Sequence, residues 1–136
     1  MGGHEILEHT ADIGVRAVGR TIEECFEQAA RGLISIIGIE RAGAGERVAI
    51  ELSSGDLGAL LVDWLNEIVY LHESRDALVC GVDVAEVTGT ELRGSVALVP
   101  RRDVAVEGLQ VKAVTYHQLK VERTSSGYVA EVYFDI

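Results

Sequence analysis

Apolar residues recur at helical spacing in two stretches of this chain and alternate singly along most of the rest, so the fold must combine two helices with strands. The first helix opens at Thr21-Ile22-Glu23-Glu24, a capping box in which Thr21 caps and Glu24 reaches back. Ile22, Cys25, Phe26, Ala29, Ala30, Leu33 and Ile37 follow on one face, and Gly38 is placed to stop the helix. The second helix is expected to start near Ser54-Gly55-Asp56. Its stripe is Leu57, Leu60, Leu61, Trp64, Leu65, Ile68 and Leu71.

Alternation marks the strands. Ile13, Val15 and Ala17 form one, Val48, Ile50 and Leu52 another, and two more run over about 78–87 and 91–98. Residues 111–122 read as a single strand, with Val111, Ala113, Thr115, His117, Leu119 and Val121 on one face. The last strand, 128–136, sets Tyr128, Ala130, Val132, Phe134 and Ile136 against Val129, Glu131, Tyr133 and Asp135. The turn Thr124-Ser125-Ser126-Gly127 makes these two an antiparallel hairpin. The expected fold is a single α+β domain over 1–136, with two helices packed against a largely antiparallel sheet of six or seven strands. Residues 100–108 have charges and no period, and read as an exposed loop.

Charge narrows the function classes. Twelve Lys and Arg face 22 Asp and Glu, a net charge of −10. Affinity for nucleic acid rests largely on Lys and Arg displacing counterions, so no direct nucleic-acid binding is expected. Such acidity suits divalent cations, basic protein partners, or solubility alone. Cys25 and Cys80 form no metal-type pair, and a reducing cytoplasm is the simple expectation. No apolar run approaches a membrane span.

Several places offer chemistry. His9-Thr10-Ala11-Asp12-Ile13-Gly14 combines polar groups with a small-residue turn, so Asp12 is either a hard cation ligand or a turn residue bonded to its own backbone. At the other end Asp135 is followed by Ile136. Its carboxylate and that of Ile136 repel unless a cation or a basic group lies between them, and with Asp12 they could make three anionic donors for Ca²⁺ or Mg²⁺. A solvated tail is the alternative. Asp63 and Glu67 share a helix face as a ligand pair or a solvated face, and His117 reads as a core histidine. Lys112 can bind an anion or pair with a carboxylate. Paired on the final strand, it would share a sheet face with Asp135. No phosphate-cradling Gly-x-x-x-x-Gly-Lys, Gly-x-Ser-x-Gly or His-Glu-x-x-His occurs.

Taken in order, His9-Thr10-Ala11-Asp12-Ile13-Gly14, Asp63-Trp64-Leu65-Asn66-Glu67-Ile68-Val69-Tyr70-Leu71, Val111-Lys112-Ala113-Val114-Thr115-Tyr116-His117 and the ending Asp135-Ile136 resemble the archease family. The resemblance covers essentially the whole chain. It implies an accessory protein, itself no enzyme, of the RtcB-type RNA ligase that joins tRNA halves. Such a protein promotes guanylylation of the ligase, permits repeated turnover and broadens nucleotide use. It also implies a metal site, usually filled by Ca²⁺, on Asp12, Asp135 and Ile136. Lys112 and His9 are then candidates for contacting the partner or a phosphate. The resemblance lapses at Gly94-Ser95, where a Gly-Glu pair and a later histidine are expected, and residues 95–110 contain no histidine. Two readings from other classes remain, a metal-dependent phosphohydrolase and a chaperone-like binding module.

Overall fold

A computed structural model of the chain describes residues 2–8, 12–39 and 45–136. In chain order the elements are β1 (Gly3–Glu8), β2 (Asp12–Gly19), α1 (Ile22–Ile37), β3 (Glu46–Ser53), α2 (Leu57–Ser74), β4 (Ala77–Val87) and β5 (Glu91–Pro100). A 3₁₀ turn at Arg101–Asp103 follows, then β6 (Ala113–Val114), β7 (Lys120–Thr124) and β8 (Gly127–Asp135).

Both helices begin and end where local chemistry puts them. Thr21 Oγ1 accepts the N–H of Glu24 at 3.1 Å. Glu24 Oε1 reaches back to the N–H of Arg20 at 2.7 Å, one residue before the cap whose own N–H the capping box uses. Gly38 ends α1 in the left-handed region, φ 77°, and donates to the Ile34 carbonyl at 3.0 Å. The last carbonyls of α1 are met from outside: Ile36, Ile37 and Gly38 accept from Leu109, Gly108 and Glu107 at 2.9, 3.0 and 3.0 Å. That strap lies so close that a Cβ on Gly108 would stand 2.1 Å from the Ile36 oxygen. Asp56 caps α2 by accepting the Ala59 N–H at 2.8 Å.

The strands do not form one sheet. They form two, a five-stranded sheet ordered β1-β2-β8-β6 with β7 also on β8, and a three-stranded sheet ordered β3-β5-β4. All pairings are antiparallel. Helix α1 packs on β2 of the first sheet and β4 of the second, and so closes the core between them. Trp64 of α2 is fully buried, and its indole N–H donates to the Phe26 carbonyl of α1 at 3.1 Å. That bond meets the polar requirement of a buried indole and locks the helices together.

The expected single strand over 111–122 is interrupted. Between Asp135 and Glu131 β8 advances four residues, while its partner runs from Ala113 to Lys120, seven residues. The excess leaves the sheet around Gln118, whose φ is 52°. His117 sits in this excursion and is exposed, not a core histidine. Leu119 turns inward instead, within 3.0 Å of where a Gly58 Cβ would stand on α2.

His72 is the one buried polar side chain among the described residues, at 8% exposure. Burial first, and the Arg101 charge second, push its pKa from 6.5 down to about 4. Below pH 6.5 the unfolded chain takes up a proton that the folded chain refuses. Stability is therefore lost as pH falls from 6.5 to 4, by up to ~3 kcal/mol, and this group adds no pH dependence above 6.5. Urea unfolding at pH 7 and pH 4.5 should show a smaller acid loss for His72→Gln than for wild type.

Candidate functional site

Three segments remote in sequence meet at one end of the five-stranded sheet. Asp12, the first residue of β2, stands directly opposite Asp135, the last of β8. Opposed residues of an antiparallel pair project from the same face. The next pair, Ile13 and Phe134, is buried at 6% and 0%, so the two carboxylates leave from the outer face. On the other edge of β8, Ala113 stands opposite Asp135, and the Lys112 N–H donates to the Asp135 carbonyl at 2.8 Å. Asp135 is thus held from both sides, and Ile136 follows it, 41% exposed.

The short strand that holds Asp135 is itself anchored. Asn66 of α2 accepts the Val114 N–H on Oδ1 at 3.1 Å. The N–H and hydroxyl of Thr115 both donate to the Tyr133 carbonyl, at 3.0 and 3.1 Å. The same hydroxyl accepts the His117 N–H at 3.2 Å. Asn and Thr at these two places therefore replace ladder bonds that a two-residue strand lacks.

Like charges directly opposed on a sheet repel. None of the ion pairs among the described residues involves Asp12 or Asp135. The negative potential extends along the face to Tyr133, whose phenol is pushed up by burial, then by Glu131 and Asp12. Tyr133 lies opposite Gly14, and its ring fills the space a side chain would take: a Cβ on Gly14 would sit 2.7 Å from a ring carbon. The His117 ring meets Tyr133 edge-on at 6.3 Å. Gly14→Ala is expected to cost ~1–3 kcal/mol by overpacking, measured by thermal melting, because the Val132 carbonyl at 2.9 Å also blocks retreat.

Two carboxylates on directly opposed residues, with no ion-pair partner among the described residues, are donors suited to a hard divalent cation. Among the described residues, no three His, Cys, Asp or Glu side chains gather in reach of one metal. Ile136, next to Asp135 in the chain, brings main-chain oxygens that can serve as further donors. The residues present fit such an ion on those terms.

Of the residues singled out from the sequence, Asp12 and Asp135 come together and Ile136 adjoins them. Lys112 arrives through its backbone, with its side chain exposed. It lies one residue beyond β6, and Ala113 takes the place opposite Asp135. His9 lies outside the described residues, with Thr10 and Ala11. Asp63 is exposed on α2 and accepts the Ser54 hydroxyl, and Glu67 is half-buried. Sequence reasoning assigns no role to Asn66, Thr115 or Tyr133. An amide inside an otherwise apolar helical segment is the signal for Asn66, while Tyr133 is visible only once Gly14 is known to face it.

Residues 4–136 match the model of the Archease protein family (MTH1598/TM1083). A protein of Methanosarcina mazei named Protein archease is 40% identical over 139 residues, covering 98% of this chain and 95% of the relative. Its namesake from Methanopyrus kandleri is 38% identical over 137 residues, covering 97% and 98%. The solution structure of Methanobacterium thermoautotrophicum protein 1598 is similar at TM-score 0.76 and 26% identity, with 98% and 99% covered. A Thermotoga maritima crystal structure, described as an archease and possible chaperone, is similar at TM-score 0.67 and 27% identity, with 97% and 96% covered.

Proposed function

The chain belongs to the archease family, and on that premise we propose that it is an accessory protein of an RtcB-type RNA ligase. It promotes guanylylation of the ligase, allows repeated turnover and broadens nucleotide use, and is an activator rather than an enzyme. A divalent cation, Ca²⁺ or Mg²⁺, is held by Asp12, Asp135 and a main-chain oxygen of Ile136. The observation that carries this reading is the strand register that sets Asp12 opposite Asp135 beside Lys112.

The cation supplies positive charge where nucleotidyl transfer builds negative charge on a pyrophosphate leaving group. The protein's own residues do the rest. Asp12 and Asp135 orient their carboxylates from two paired strands, and Asn66 and Thr115 keep the third strand in place. The exposed Lys112 ammonium contacts a phosphate or an acidic group of the partner. The net charge of −10 steers the protein to a basic ligase surface and raises the association rate. No helix among the described residues is long and apolar enough to cross a membrane.

The test is multiple turnover. With limiting ligase and excess broken RNA, addition of this protein should raise joined product above one equivalent per ligase. Product fixed at one equivalent with and without it would defeat the reading. The same charge argument predicts no sub-micromolar complex with tRNA at physiological salt when ligase is absent. Filter binding measures this directly.

A further inference from the structure

A cavity of about 380 Å³ opens between the end of α2, the start of β4 and the strap at 106–111. That volume is in the range of small-ligand sites. Its floor is apolar and buried, made by Ile37, Val69, Leu78 and Val111. At its lip Val106 and Leu109 are 41% and 43% exposed. The three hydrogen bonds from 107–109 to the end of α1 hold these two side chains in the open.

Of the polar side chains that line the cavity, His72, Glu73, Arg101 and Gln110, only His72 is buried among the apolar ones. His72 borders the cavity, and its Nε2 accepts the Val79 N–H at 2.9 Å. A backbone N–H only donates, so Nε2 carries the lone pair and the proton of the neutral ring is on Nδ1. That N–H has no hydrogen-bond partner among the described residues. No fully buried polar side-chain atom there is left unsatisfied either. The Nδ1–H of a ring more than nine-tenths buried is therefore reached from outside, and the open space beside His72 is this cavity. Arg101 at the rim is engaged through two of its five donors. Its Nη2 donates to the His72 carbonyl at 2.9 Å and its Nε faces Asp76 at 3.4 Å. Asp76 pairs with that guanidinium and the Glu73 carboxylate also lines the cavity, so an anion gains little there, while an uncharged oxygen acceptor still gains the imidazole N–H.

We propose that this cavity binds an uncharged acyl group, a branched aliphatic body on Ile37, Val69 and Leu78 with one carbonyl oxygen on the His72 Nδ1–H. A leucine-type residue of a protein partner and a free ketone or amide share that chemistry. The proposal is independent of the cation site.

The test is an NMR titration of the full-length, ¹⁵N-labelled chain with N-acetyl-leucine amide. Saturable shifts are expected at the amides of Val79, Leu109 and Val111. N-acetyl-leucine, which adds a carboxylate, should bind about fivefold more weakly. His72→Phe keeps a ring and removes the donor, and should weaken binding about tenfold. Leu109→Asp puts a charge on the exposed lip, should melt like wild type, and should weaken binding by a similar factor whether or not His72→Phe folds. Equal binding of 4-methyl-2-pentanone would assign the site to a free small molecule. Much weaker binding of that ketone would assign it to a peptide segment. Absent shifts, tighter binding of the carboxylate, or unchanged binding to Leu109→Asp would overturn the proposal.

Discussion

Trp64→Ala should lose ~3–5 kcal/mol of stability, enough to leave the domain largely unfolded at physiological temperature. Trp64 heads the fully buried side chains of the core, and its indole N–H is bonded to the Phe26 carbonyl. Truncation opens a cavity between the helices and removes the indole bond across them, while the Phe26 carbonyl, inside α1, keeps its intrahelical donor. Leu61→Ala, in the same stripe, should lose ~2–5 kcal/mol. Lys112→Ala should differ from wild type by only ~0.5 kcal/mol, because its side chain is exposed and its backbone bond to Asp135 survives the change. Urea unfolding of the three variants checks the ordering. A Trp64→Ala protein as stable as Lys112→Ala would contradict the core described here.

The second large effect changes sign with the solvent. In chelator, Asp12→Asn should be as stable as wild type or slightly more so, since it removes a repulsion between directly opposed carboxylates. With Ca²⁺ at a hundredfold excess over Kd, wild type should gain ~2.7 kcal/mol that Asp12→Asn does not. Asp135→Asn should behave alike. Paired melts with and without Ca²⁺ measure this. A variant that gains as much as wild type would remove Asp12 from the site.

Both helices are legible in the sequence because their stripes and caps are local: Thr21, Gly38 and Asp56 act within four residues of themselves. The strands are legible one by one, but period two fixes which face a residue takes and not which strand lies beside it. One sheet and two sheets carry the same alternation. β1 escapes notice because Gly3–Glu8 is an edge strand with a mixed polar pattern, paired only to β2. The break in 111–122 is hidden because alternation runs through it and the positive-φ residue is Gln118, not glycine. At the site, Asp12 and Asp135 stand out by charge. What brings them together, the register and the neutral Asn66 and Thr115, is a long-range property. His72 is invisible for the same reason, since its role depends on the Val79 N–H from the following strand.

The central claim, activation of a ligase through the carboxylates at the end of the five-stranded sheet, is tested most directly by the covalent guanylate adduct. An RtcB-type ligase is mixed with labelled GTP and Mg²⁺ or Ca²⁺, with and without this protein, and the adduct is counted over time. Wild type should accelerate adduct formation. Lys112→Ala and Asp12→Asn, folded by their melts, should fail to do so. Full acceleration by both variants, or none by wild type, would contradict the account.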